Sequence, residues 1–455
     1  MIRAFFYPES VAVVGASSNP KKIGYQILNN ILSYGYKGKV FPVNIHEDEI
    51  LGLRAYRRVS DIPDPVDLVV VAVPAKVVPD VLEDAGKKGV KAVSVISSGF
   101  KEVGNEELEE RIVSIAQKHG FRLLGPNIFG VAYTPNRLNA TFGPTNVKPG
   151  KIALISQSGA LGIALMGWTQ TEEIGLSAIV SVGNKADVSD EDLLDFFATD
   201  ENTRVIVEYM EGVKDGRAFM DAARRNPKPI VVIKAGRSKR GAQAASSHTG
   251  SLAGSDLVYS GAFKQVGIIR ADSVRDAFVM ARALSELPEP EGDNIVVITN
   301  GGGIGVLATD ALEERGLDLY SGPDLLAFKR AMPDFGSFKN PVDITGMADP
   351  VMYLNALKIA QENDNIHSVA LLYCETAVCD PKELAEGIIR TYDRKKPLVV
   401  AMVGGEKTEN AIARLNEAGI PAYDAPEDAV RALHALYLWK EGKKKRQSNG
   451  SMRRS

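Results

Sequence analysis

The strongest constraint in this chain is a pattern that restarts twice: short β-branched runs end in small, polar turns, and a helical stretch follows each turn. Ser10 to Val14 runs into Gly15-Ala16-Ser17, Lys22 to Leu32 reads as a helix, and Lys39 to Val43 as a second strand. The stretch from Val66 to Val73 is apolar after Asp67, as a strand covered on both faces requires. Ala92 to Ile96 and Arg122 to Leu124 continue the series, with helices at Val77 to Lys88 and Glu106 to His119 between strands. Strands alternating with helices predict a parallel sheet wound on both faces. The alternation begins again at Lys151 and once more at Ile295. The polar stretch at residues 134–150 reads as one linker and Pro288 to Asp293 as another. The expectation is an α/β chain of three doubly wound parallel-sheet domains, consistent with 455 residues at ~150 per domain.

Composition excludes several classes. The net charge of −3 gives no global field for nucleic acid. No run of ~18 apolar residues predicts a membrane span, and the start has no cleavage pattern, so a cytoplasmic protein is expected. Cys374 and Cys379 are not a CxxC pair, no further cysteine completes a metal site, and free thiols are expected. The basic end after Trp439 reads as a solvated, disordered tail.

Four loops carry the chemistry. Ser246-Ser247-His248-Thr249-Gly250-Ser251 places one of only five histidines among small and hydroxyl residues, room enough for an anion to reach the imidazole. By itself that loop also reads as a histidine bonded to a neighbour. Ser156-Gln157-Ser158-Gly159 lies where a strand meets a helix start, an anion seat backed by the helix dipole. Asn300-Gly301-Gly302-Gly303 repeats the construction with three glycines, which cost backbone entropy in a plain turn. Gly15 to Gly24 has the position of a diphosphate loop but not the GxGxxG spacing. Val43-Asn44-Ile45-His46 shows no acidic residue at the second strand end, which argues against a nicotinamide dinucleotide. Glu211 follows a strand end at the edge from which the His248 loop should emerge. A carboxylate there would fix the imidazole's tautomer; the same residue also reads as a surface acid before Gly212.

Taken together, Phe6-Tyr7-Pro8-Glu9-Ser10-Val11-Ala12-Val13-Val14-Gly15, Leu124-Gly125-Pro126-Asn127, Ser156-Gln157-Ser158-Gly159, Ser247-His248-Thr249-Gly250-Ser251 and Asn340-Pro341-Val342-Asp343 resemble, in that order, the α subunits of the NDP-forming acyl-CoA synthetases. This is the group of ADP-forming acetyl-CoA synthetase, related to succinyl-CoA synthetase, and the resemblance spans residues 5–440. It implies a Rossmann-like CoA-binding domain (1–140), a flavodoxin-like domain with a phosphohistidine (146–287), a flavodoxin-like ligase domain (293–440) and the tail (441–455). His248 would be the phosphohistidine and Glu211 the carboxylate that steadies it. Ser156, Gln157, Ser158 and Gly159, and Gly301, Gly302 and Gly303, would seat phosphate. Gly15, Ser17, Val73, Pro74, Ser97, Ser98 and Asn127 would hold coenzyme A. No stretch reads as ATP-grasp and no metal site is expected here. ADP or ATP and Mg²⁺ would therefore sit on an ATP-grasp β subunit in an α2β2 heterotetramer. The alternative is a non-catalytic CoA- or nucleotide-binding regulatory protein.

Overall fold

The computed structural model describes residues 2–243 and 255–452, the last six of these as backbone. The chain divides into two compact units, one ending at Val266 and one beginning at Gly267. The first unit opens with strands β1 (Ser10–Val14), β2 (Lys39–Val43), β3 (Leu68–Val71), β4 (Ala92–Val95) and β5 (Arg122–Leu124) in the parallel order β2-β1-β3-β4-β5. Every residue of β1, β3 and β4 is buried, which is why these runs lack polar alternation. Helices α1 (Ile23–Ser33), α2 (Val78–Lys88) and α3 (Glu106–His119) make the crossovers. The chain goes from β1 outward to β2, then crosses to β3 on the other side of β1. The crevice at the carboxyl ends of β1 and β3 is thus the switch point where such sheets take ligands.

The second sheet corrects the reading of residues 134–150 as a linker. Strands β6 (Gly130–Tyr133) and β7 (Leu138–Thr141) form an antiparallel hairpin, and β6 pairs antiparallel with β9 (Leu176–Ser181). With β8 (Pro149–Ser156), β10 (Val205–Met210) and β11 (Ile230–Lys234), the order within this unit is β11-β10-β8-β9-β6-β7. Residues 130–140 therefore pair with the second sheet rather than closing the first domain. Their polar residues look like loop chemistry because they are buried and bonded. Asn139 donates to the carbonyls of Pro144 and Thr145 at 3.0 and 2.9 Å, and Asn30 of α1 donates to those of Thr141 and Gly143 at 2.8 and 2.9 Å. Helices α4 (Gly159–Thr171), α5 (Asp190–Thr199), α6 (Gly216–Arg225) and α7 (Asp256–Val266) complete this part.

The two sheets of the first unit are joined by aromatic and charged contacts. Phe6 stacks on Phe196 at 4.1 Å between centroids, and the Tyr7 ring meets that of Tyr133 edge-on at 4.8 Å. Arg122 of β5 reaches both Asp187 (2.9 Å) and Asp192 (2.8 Å) of the second half.

The second unit holds β12 (Ile269–Ala271), β13 (Ile295–Thr299), β14 (Val342–Asp343), β15 (Ser368–Cys374), β16 (Leu398–Val403) and β17 (Ala422–Tyr423). The last five form a parallel sheet ordered β14-β13-β15-β16-β17. Its helices are α8 (Val274–Glu286), α9 (Gly302–Glu313), α10 (Pro350–Glu362), α11 (Pro381–Thr391), α12 (Glu406–Glu417) and α13 (Pro426–Met452). Two expectations change here. Helix α8 packs on α13 through Arg275–Asp428 (2.9 Å) and Asp276–Arg431 (3.1 Å), so the compact unit starts before the expected boundary at 287. The segment read as a disordered tail continues α13 to Met452. Arg446 lies 4.8 Å over the Trp439 ring and donates to the Gly267 carbonyl at 3.0 Å, so its charge caps a packed surface. No helix among the described residues is long and apolar enough to cross a membrane.

Candidate functional site

At the end of β1 the chain must turn sharply under α1. Gly15 has φ +87°, and a Cβ there would collide with the Ala72 carbonyl oxygen; a Cβ at Gly24 would strike the carbonyl oxygen of Gly15. The loop is braced by a residue the sequence reading passed over. Glu47, four positions beyond the end of β2, accepts from the Ser18 amide at 3.1 Å and the Ser17 hydroxyl at 3.3 Å. Its carboxyl is held below the usual range by Ser18 first, with Ser17 and Lys22 adding to the effect. The second strand end thus does have its acidic residue, but its carboxylate is turned onto the loop's own amide and hydroxyl. Ser17 is buried, and its hydroxyl also accepts from the Asn19 amide, so it acts as a brace.

A cavity of about 560 Å³ opens at the switch point. Val73, Pro74, Ser97, Ser98 and Asn127, each expected from sequence, line it together with Gly159 and Ala160 at the start of α4. Gly15 and Ser17 do not line it. The loops are fixed in place: Ser97 donates its hydroxyl to the Val73 carbonyl, the Asn127 amide donates to the Ser97 carbonyl at 3.0 Å, and Glu102 accepts from Gly99 and Phe100 at 2.5 and 3.2 Å. Asn127 itself adopts φ +62°.

The four residues before α4 divide their labour differently from the expectation. Ser156 is buried and donates to the Ser158 carbonyl at 2.8 Å. Gln157 accepts from the Glu211 and Gly212 amides at 2.8 and 3.0 Å and donates to the Gly212 carbonyl at 2.8 Å. Ser158 caps the helix by accepting from Leu161 at 3.4 Å. These side chains are engaged by the protein, so what this start presents to an anion is its backbone. A Cβ at Gly159 would meet no described atom within 4 Å. The start of α9 in the second unit is built alike. Thr299 donates to the Gly301 carbonyl at 2.9 Å, Asn300 exchanges hydrogen bonds with the amide and carbonyl of Cys374 at 2.8 and 2.9 Å, and Gly302 and Gly303 are exposed.

Glu211 is buried rather than a surface acid, and its amide is tied to Gln157. The Tyr209 phenol is pushed up by burial and by the Glu211 carboxylate beside it. His248 and its loop lie outside the described residues.

Three family models match in chain order: a CoA binding domain over residues 9–134, a succinyl-CoA ligase like flavodoxin domain over 149–284 and a ligase-CoA domain over 295–446. The α subunit of acetate–CoA ligase [ADP-forming] I from Pyrococcus furiosus is 62% identical over 98% of this chain and 99% of its own length. Acetate–CoA ligase [ADP-forming] from Methanocaldococcus jannaschii is 40% identical over 95% of this chain, which spans 62% of that longer protein. Among solved structures, the acetyl-coenzyme A synthetase 1 of Ca. Korarchaeum cryptofilum, solved with phosphate and ADP, superposes with a TM-score of 0.96 at 52% identity and 99% coverage of both chains. These relatives are ligases or synthetases, and a non-catalytic regulatory reading draws no support from them. The chain belongs to the family of ADP-forming acetate–CoA ligases, as a chain of the α-subunit type.

Proposed function

We propose that the chain is the α subunit of an ADP-forming acyl-CoA synthetase that reversibly converts acetyl-CoA or a similar acyl-CoA, ADP and phosphate to the acid, ATP and CoA. The observation that carries this reading is the cavity in which Val73, Pro74, Ser97, Ser98 and Asn127 meet the amino-terminal end of α4. A thioester held by the first group would present its carbonyl to a phosphate held by backbone amides at Gly159 and Ala160. A phosphate oxygen attacks the carbonyl carbon, the C–S bond breaks, and CoA leaves with the electron pair. An imidazole nitrogen of His248 then attacks phosphorus, and the acid departs as carboxylate. Finally an oxygen of the ADP β-phosphate attacks phosphorus, the P–N bond breaks, and ATP forms. Imidazole suits the relay because it is neutral and nucleophilic near pH 7. Glu211 would stabilise the charged ring, and Gly301 to Gly303 would seat the phosphoryl group at its other stop.

Three domains in chain order, for CoA binding, the phosphohistidine and the ligase function, belong to the same proposal. The nucleotide and Mg²⁺ belong to a partner of ATP-grasp type, in an α2β2 assembly in the cytoplasm. The Pyrococcus furiosus relative, named as an α subunit, supports a partner subunit here. The test is His248→Ala with the partner present, given acetyl-CoA and radioactive phosphate. Loss of turnover and of acid-labile label is expected; a labelled variant would refute the assignment.

A further inference from the structure

Between the cavity and the Glu211 segment lies a turn that none of the chemistry above uses. It follows β9 and runs Gly183-Asn184-Lys185-Ala186. Gly183 and the non-glycine Lys185 both take left-handed backbone, at φ +51° and +54°. A Cβ at Gly183 would overlap the carbonyl oxygens of Pro126 and Asn127. The Asn184 and Ala186 amides donate to the carbonyls of Pro126 and Gly125 at 3.0 and 2.9 Å, so the turn is moulded onto the Gly125-Pro126-Asn127 loop. A bulky side chain in left-handed backbone persists only where surrounding contacts over-determine it.

The two side chains of this turn reach in different directions. Asn184 accepts from the Asn127 amide group at 3.3 Å and donates to Glu102 at 2.6 Å and to Glu109 at 2.8 Å. Glu102 in turn holds the Gly99 and Phe100 amides, so Asn184 fixes two loops beside the cavity. The Lys185 ammonium is buried, 2.7 Å from Asp190 and 2.7 Å from the Gly212 carbonyl. Gln157 bonds the same carbonyl and also donates to Asp190 at 3.3 Å. Lys185 and Gln157, tied to each other through Asp190, therefore hold the Glu211-Gly212 segment.

We propose that Asn184 and Lys185 are positioning residues that hold, on one rigid turn, the loops of the acyl-CoA cavity and the segment carrying Glu211. This inference rests on the function proposed above. Neither residue need touch a reacting atom. Asn184 acts through Asn127 and the Ser97–Gly99 loop, and Lys185 acts through Gly212 on Glu211. The physical cause is the short path: adjacent residues of a strained turn cannot move independently, so the two halves of the site keep their register.

The test uses the chain with its partner subunit and acetyl-CoA, phosphate and ADP. Lys185→Met is combined with Asp190→Asn, so that no buried carboxylate is left unpaired. That variant should lose at least about tenfold in kcat with KM for acetyl-CoA within about twofold of wild type. Asn184→Ala, half-buried and uncharged, should raise KM for acetyl-CoA at least about fivefold; it remains informative if the double variant does not fold. Either folded variant within about twofold of wild type in both kcat and KM overturns the inference. A wild-type complex that takes no label from radioactive phosphate overturns the functional reading instead.

Discussion

Gln157→Leu removes the amide that ties the end of β8 to the end of β10. In the wild type this side chain accepts from Glu211 and Gly212 and donates to the Gly212 carbonyl, with 9% of the residue exposed. The Gly212 carbonyl and Asp190 keep their bonds from Lys185, so the loss falls on two amide donors, that of Glu211 buried and that of Gly212 partly buried. Each unsatisfied donor costs about 1–3 kcal/mol, and the two together set a range of about 2–6 kcal/mol. Leucine's burial recovers part of this, and a net loss of about 2–4 kcal/mol is expected. The segment relaxes as those donors seek water, which shifts Glu211. A displacement on the order of 1 Å can cost about 100-fold in rate. The assay pairs a urea denaturation curve with the rate of phosphate labelling from acetyl-CoA and radioactive phosphate. Asn300→Leu, which removes the corresponding clamp on Cys374, should lower stability by a similar amount. A Gln157→Leu protein that loses less than about 1 kcal/mol and labels at the wild-type rate would refute the reasoning.

Two further perturbations follow from groups around the site. Glu208 is fully buried, and burial first, then the charge of Asp190, pushes its carboxyl well above the usual glutamate range. The folded protein therefore binds a proton that the unfolded chain releases, so stability falls as pH rises above the ordinary glutamate value of ~4.3, with a limiting slope of about 1.4 kcal/mol per pH unit. Glu208→Gln should flatten that fall, read as denaturation midpoints at several pH values; a wild-type-to-variant difference independent of pH would sink the idea. Gly162→Ala drives a methyl group into the ring of Phe129, a fully buried residue that lines the cavity. About 1–3 kcal/mol of overpacking and weaker CoA binding are expected, and calorimetric titration with unchanged affinity would contradict it.

The sequence made the parallel sheets legible because buried parallel strands carry an unbroken apolar signature, as in Leu68–Val71 and Ile295–Thr299. It hid the hairpin at residues 130–141 because its polar residues are buried: Asn139 bonds Thr141 and the carbonyls of Pro144 and Thr145, the Thr141 carbonyl accepts from distant Asn30, and no periodicity reports such partners. The end of α13 was hidden for a related reason. A Lys- and Arg-rich stretch reads as solvated, yet Arg446 spends its charge on Trp439 and the Gly267 carbonyl. In the site, the residues of the cavity were legible from their place at strand ends. Glu47, Glu102, Asn184 and Lys185 were not, because their value lies in what they brace. An acidic residue within a few positions of a strand end was the one available signal for Glu47.

The two helix starts show why loop composition misassigns roles even when it finds the place. In one, Ser156 and Gln157 precede Ser158 and Gly159; in the other, Thr299 and Asn300 precede Gly301 and Gly302. In both, the hydroxyl at the strand's last residue bonds the carbonyl two positions on, and the following amide side chain clamps the end of the neighbouring strand. Hydroxyl and amide groups there look like ligand contacts, but each already makes a hydrogen bond within the protein. At the start of α4 the one capping bond runs from the Leu161 amide to Ser158, and no side chain among the described residues accepts from the Gly159 and Ala160 amides. A loop that must offer amides to an anion has to satisfy its own side chains internally, and the matching pattern in the two units is what that requirement produces.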